Sequence, residues 1–215
     1  MIEKKSIFKS LFEKPWEQSQ ALKDNNHDGK ALSITGSKLG VRYIMVVSTV
    51  IFSLFIIAYS DRMLVHDWKS MPEPWLLWVN TAILVLNSYF FHKTKIAADN
   101  IDYTKIKKGL FIVGFLAYSF LIGQLIVWYL LISNDYYAAS NPANAYFYLF
   151  TTVHGLHLLG GLIFWGRTTS KLLKGNYNLK NLQHNIELCA IYWHFLLCVW
   201  SVSYTHLTLP TKRIV

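Results

Sequence analysis

Five long apolar stretches divide this chain, and their spacing dictates its architecture. They cover Leu39–Tyr59, Trp75–Phe91, Leu110–Ile132, Ala145–Trp165 and Ile186–Tyr204, with lengths of 21, 17, 23, 21 and 19 residues. About 20 residues cross a hydrocarbon layer roughly 30 Å thick at 1.5 Å rise per residue. The runs are continuous and lack the alternation of a β-barrel strand. Inside lipid every backbone amide needs an internal partner, so each stretch is predicted to be a helix. The expected fold is all-α, a polytopic membrane protein with a five-transmembrane-helix bundle.

Composition agrees with this pattern. The 215 residues are 53% apolar and only 15% charged, with a mean hydropathy of +0.27. A water-soluble domain usually carries about 25% charged residues. The net charge of +9 by itself admits a nucleic-acid partner, but its distribution points elsewhere. Counted outside the hydrocarbon core, with Arg42 taken to snorkel from the first span, 17 Lys and Arg lie in the N-terminal arm through Arg42 and in the loops 91–109 and 166–185, against four (Arg62, Lys69, Lys212, Arg213) on the opposite side. Basic residues favour the cytoplasmic face, which predicts a cytoplasmic N-terminus and an external C-terminus. No basic stripe interleaved with aromatics occurs, and no nucleic acid is expected. Trp75, Trp78, Trp128, Tyr136, Tyr137, Tyr146 and Trp165 fall near span ends, as in an interfacial aromatic belt.

The expected organisation is a flexible cytoplasmic arm over 1–38, a membrane domain over 39–204 and a polar tail over 205–215. The arm has no apolar segment of signal-peptide type, so the first span directs insertion. Asn25–Gly29 does not have the ligand spacing of a calcium loop. Cys189 and Cys198 are nine residues apart on one helix, on opposite faces, which excludes a mutual disulfide.

Polar residues at bilayer depth are costly and therefore informative. His154 and His157 share a face of the fourth span, beside Gly155, Gly160 and Gly161. Glu187 and His194, seven apart, share a face of the fifth. If these two helices pack antiparallel, His194 lies at the depth of the other histidines and Glu187 opposite Gly160 and Gly161. Three readings of this seam are open: a metal site, a single haem with axial histidines, and a network of interhelical hydrogen bonds. The last is preferred because no carboxylate stands ready to orient a ligating histidine, and the i, i+3 pair occupies one level rather than two. Asn80, Asn87, Ser48, Thr49, Ser53 and Gln124 are expected to bond between helices as well, and Arg42 to contact a lipid headgroup. No phosphate loop, nucleophile elbow or zinc-protease motif is present.

The segment Thr152-Val153-His154-Gly155-Leu156-His157-Leu158-Leu159-Gly160-Gly161, followed by Glu187, Tyr192-Trp193-His194-Phe195 and Trp200, closely resembles the last two helices of haem-copper oxidase subunit III. Tyr59-Ser60-Asp61-Arg62-Met63 and Trp78-Val79-Asn80-Thr81 resemble its short, five-helix bacterial branch. The resemblance implies a non-catalytic subunit of an oxidoreductase complex. It would hold no haem, copper or other metal itself, pack on catalytic subunit I beside subunit II, bind phospholipids in a cleft, and support proton uptake in aerobic respiration. The location would be a bacterial plasma (inner) membrane. His154, His157, Glu187, Trp193 and His194 would form a polar interhelical network. The alternatives are a b-type membrane cytochrome and an accessory subunit of nitric oxide reductase with the same fold. Many members of the family carry a carboxylate after a Ser in the helix matching the first span. Here Thr49 follows Ser48, so any role of that carboxylate is not carried over. From about Ser203 the chain departs from the family's apolar ending, and a truncated or chimeric tail is expected.

Overall fold

The computed structural model describes residues 36–65, 68, 74–175 and 178–208. Among them five helices form: α1 (Gly36–Arg62), α2 (Leu76–Asp99), α3 (Tyr103–Ser133), α4 (Pro142–Leu173) and α5 (Leu179–Thr208). No strand occurs among the described residues. The expected arm over 1–38 lies outside them except at its helical end. Of the polar tail, residues 209–215 also lie outside. Contacts between Cα atoms divide the chain into Met1–Gly40 and Val41–Val215, and the helix bundle belongs to the second unit.

Each helix covers its predicted apolar stretch, α2 from the residue after Trp75, and most outrun it. α2 continues eight residues past Phe91, α4 eight past Trp165, and α5 starts seven before Ile186 and continues four past Tyr204. These extensions are the polar ends, where water and headgroups replace hydrocarbon and helical hydrogen bonds survive on local propensity and caps. Asp102 caps α3 by accepting from the Lys105 amide, and Asn141 caps α4 ahead of Pro142 at the first helical position. α1, α3, α4 and α5 are long and apolar enough to cross a membrane. α2 falls short of that composition because Asn80, Thr81, Asn87 and Ser88 interrupt it. Asn80, Asn87 and Ser88 are buried against neighbouring helices.

α2, α3, α4 and α5 close into a four-helix ring, with contacts α2 to α3, α3 to α4, α4 to α5 and α5 back to α2. The α2–α3 pair shows how sequence sets such a contact. Asn80 of α2 sits where a Cβ on Gly123 would be, and Thr94 where a Cβ on Gly109 would be. Both pairs sum to 203, which fixes one antiparallel register along two heptads. Missing Cβ atoms on α3 receive the polar side chains of α2. Without a hydrophobic drive between helices in lipid, close backbone approach of this kind and interhelical hydrogen bonds supply the association.

α1 stands outside the ring. Only 11% of its apolar window is buried, against 50% for α5. It attaches to α4 through side chains alone: Phe52 and Phe55 against Phe150 at 6.2 and 5.8 Å between centroids, and Tyr59 against Tyr146 at 5.6 Å. Large rings bridge a separation too wide for backbone contact. Cys189 is buried, Cys198 exposed, and both are free thiols.

Candidate functional site: the histidines of α4 and α5

The three histidines of the two motifs reach three different neighbours. His157, on the α4 face turned to α1, places Nε2 2.7 Å from Ser48 Oγ and Nδ1 2.8 Å from the Val153 carbonyl. A carbonyl only accepts, so Nδ1 carries the hydrogen, and in the neutral ring Nε2 accepts from the Ser48 hydroxyl. The backbone carbonyl of His157 in turn accepts from Tyr192 Oη of α5 at 3.1 Å. One residue thereby ties α4 to both α1 and α5.

His194 leaves the α4–α5 seam and pairs through Nδ1 with Ser88 Oγ of α2. The ring of His92, also on α2, lies 6.3 Å away. His154 is fully enclosed and packs as an aromatic, at 5.1 Å from the Trp200 ring and 5.9 Å from Phe120. Neither of its ring nitrogens has a hydrogen-bond partner among the described residues. Trp193 stacks on Phe91 of α2 at 5.6 Å.

Gly161 faces Tyr192 and Trp193, with a Cβ there 3.1 Å from the Tyr192 ring. Glu187, half-buried and engaged in an interaction of its own, is five residues from Tyr192 and so about 7.5 Å further along α5. The expected placement of Glu187 opposite Gly160 and Gly161 therefore does not occur, because the α4–α5 register is shifted. Gly155 and Gly160 have open space where a Cβ would be. Arg42 is exposed on α1.

Other polar positions sort by whether a partner lies across a helix interface. Asn80 Nδ2 donates to Gln124 Oε1 at 3.4 Å, the interhelical bond expected of both. Thr49 and Ser53 donate instead to carbonyls of their own helix, at Met45 and Thr49. Two members of the expected aromatic belt are internal braces: Trp165 donates to the Leu110 carbonyl and Trp128 to Thr151 Oγ1, both at 3.1 Å. Sequence reasoning missed Ser88, His92 and the Trp200–Thr81 bond of 3.0 Å. The available signal was Ser88 next to Asn87 in a span already marked as polar.

Chemically, this arrangement holds helices together. The rings are engaged by hydroxyls, a carbonyl and aromatic faces drawn from all five helices, and do not converge on one point. Among the described residues no group of three or more His, Cys, Asp or Glu is placed to hold a metal ion.

No family model matches the chain. Among curated proteins it is 27% identical over 168 residues to cytochrome c oxidase subunit 3 of Synechocystis, covering 76% of this chain and 71% of that protein. It is 26% identical over 179 residues to the protein of the same name from Thermostichus vulcanus, covering 81% and 87%. A probable cytochrome c oxidase subunit 3 of Nocardia farcinica is 28% identical over 155 residues, 70% and 74% of the two chains. The resemblance to haem-copper oxidase subunit III thus holds over most of the chain.

Proposed function

We propose that this protein is the non-catalytic subunit III of a bacterial haem-copper terminal oxidase, crossing the plasma membrane five times with its N-terminus in the cytoplasm. It packs on catalytic subunit I, in a complex that includes subunit II and holds the haems and copper there. It binds phospholipid and sustains proton uptake while the complex reduces oxygen to water. His154, His157, Glu187, Trp193 and His194 serve as structural groups that fix the bundle.

The observation that carries this reading is the pair of motif segments on consecutive helices, in a chain similar to subunit 3 proteins over about four-fifths of its length. The histidine geometry supports the non-catalytic role, since His157 and His194 are spent on Ser48 and Ser88. The basic loops support the orientation.

The test is purification of the tagged chain from its native membranes in mild detergent. A larger haem-bearing subunit should accompany it, and the chain separated from that partner should show no haem absorption. Recovery as a stable solitary protein overturns the proposal. Haem bands in the separated chain that vanish in His194→Ala would make it a cytochrome instead.

A further inference from the structure

Two imidazoles face outward from this bundle at a depth where hydrocarbon solvates them poorly. His194 lies eight residues, about 12 Å, past the start of the α5 apolar stretch at Ile186, and its side chain is exposed. His92 of α2 is exposed beside it, with 6.3 Å between the ring centroids. Ser88 Oγ engages Nδ1 of His194, which leaves Nε2 for a partner. The outward face of α3 is built differently. Phe115, Ile122, Leu125 and Tyr129 are exposed there, and lipid accepts them without cost.

Ionisable side chains at bilayer depth turn to a bundle interior, a watery cavity or a partner. The interior lies behind this pair, where Trp193 and Leu196 are buried. A lipid headgroup stays at the membrane surface and does not reach the middle of α5. The α5 face continues from His194 through Cys198, Val202 and Thr205, all exposed, and these short side chains let a second helix approach closely.

Charge specifies what that helix brings. His92 and His194 are joined by Lys95, three residues on from His92, while α2 has no Asp or Glu from Leu76 to Ala98 and α5 none from Leu188 to Thr208. Glu187, two turns before His194, is half-buried and engaged in an interaction of its own. A carboxylate on the incoming helix supplies the opposite charge and accepts from an imidazole N–H, a charge-assisted bond that strengthens away from water.

We propose that the α2–α5 face is the docking surface of this chain, and that its occupant is a transmembrane helix of the catalytic subunit carrying an Asp or Glu at the level of His194. This rests on the reading that the chain packs on a larger haem-bearing subunit, and adds the face, the depth and the charge of the contact.

The test is photocrosslinking in native membranes, followed by purification of the complex. p-Benzoylphenylalanine takes the place of Ile191, 38% exposed and one turn from His194, or of Phe115, 73% exposed on α3 at the depth of Ser88 in the α2–α3 register. The Ile191 probe should crosslink the haem-bearing subunit, on an apolar segment with an acidic residue within about two turns. The Phe115 probe, although more exposed, should crosslink lipid alone. Lipid-only products from Ile191, an equal protein yield from Phe115, or a crosslinked segment without Asp or Glu each overturn the proposal. His92→Leu, which leaves the Ser88–His194 pair in place, should lower recovery of the haem-bearing subunit about fivefold, and Phe115→Leu should leave it unchanged. Equal recovery in the two variants also overturns the proposal. Absence of any haem-bearing subunit overturns this inference and the function proposed above together, whereas its presence with a silent Ile191 probe overturns this inference alone.

Discussion

The attachment of α1 gives the sharpest test of the histidine geometry. Ser48 Oγ and His157 Nε2, 2.7 Å apart, form the polar link between α1 and α4, and Ser48 is buried at 2% exposure. Ser48→Ala removes the hydroxyl. His157→Phe removes the acceptor while keeping a ring against Phe52, whose centroid lies 5.8 Å from that of His157. Interhelical hydrogen bonds in membranes average about 0.6 kcal/mol and reach about 1.7. A short, part-buried bond belongs near the middle of that range, so the coupling between the two sites should be about 1 kcal/mol. That is roughly a fivefold change in the unfolding equilibrium. The assay is a double-mutant cycle on the purified protein: unaltered chain, both single variants and the double, each unfolded by sodium dodecyl sulfate titration. Each single variant should weaken the protein, and the double should cost about 1 kcal/mol less than their sum. Independent sites add within about 0.3–0.5 kcal/mol. A coupling inside that band would refute the bond and leave α1 held to α4 by apolar side-chain contacts.

His154→Leu should change stability by less than about 1 kcal/mol, because an enclosed ring without hydrogen-bond partners loses little when an apolar group replaces it; thermal unfolding beside His157→Leu, which should cost more, checks this. Gly123→Val drives a side chain into the Asn80 amide and should cost about 1–3 kcal/mol, whereas Gly155→Ala, with open space, should be near neutral in the same melt. Ile101 adopts φ 57° at the end of α2, where the Ile101 and Asp102 amides return to the Ala98 and Ala97 carbonyls. A left-handed residue costs roughly 1–2 kcal/mol in an L-amino acid, so Ile101→Asn should raise the melting temperature. The Lys105 ammonium and amide hold the Asp102 carboxyl below its ordinary range. Its cap on α3 is therefore present above about pH 4 and is lost as pH falls through the lowered value. Asp102→Asn should flatten that acid limb of the melting curve.

The five helices are legible in the sequence because hydrophobicity over twenty residues is a local property that lipid enforces. Their ends are less so. α5 begins at Leu179, where the Asn178 side chain accepts from the Lys180 amide, and its first turns carry Asn181, Gln183 and Asn185, residues that a hydropathy threshold discards but a helix end in headgroups accepts. The histidines are legible as a set of costly side chains, and their destinations are not. Periodicity puts His154 and His157 on one face, yet that face is wide enough for His157 to meet α1 while His154 turns to Trp200 of α5. The shift of Glu187 away from Gly161 has a related cause: register between helices depends on which side chains fill which gaps. Tyr192 filling the gap at Gly161 cannot be read from spacing along one helix. The Schellman-type end at Ile101 is invisible for another reason, since a β-branched residue at positive φ contradicts local preference.

The distribution of side chains argues for the solvent in which this bundle folds. Phe115, Ile122, Leu125 and Tyr129 of α3 are well exposed, while Gln124 on the same helix and Asn80, Asn87 and Thr94 on its neighbour are buried. In water that sorting would cost exposed apolar area and desolvated amides at once. In hydrocarbon the outward residues lose nothing, and Asn80 and Gln124 gain in each other a partner that lipid cannot offer; Thr94 donates to the Phe90 carbonyl of its own helix, and the Asn87 amide, expected to bond between helices, has no hydrogen-bond partner among the described residues. Glycines at 109, 114 and 123 then become the contact surface, receiving Thr94, Trp165 and Asn80 where a soluble bundle would interdigitate leucines. The same inversion explains α1: without hydrophobic pressure toward the ring, it stays at the distance set by Phe52, Phe55 and Tyr59, and it is oriented by the Ser48–His157 bond and by Tyr59 Oη, which donates to the Leu207 carbonyl of α5 at 3.5 Å. The polar residues of these spans therefore need no redox duty to explain their presence, because specifying helix contacts in lipid already requires them.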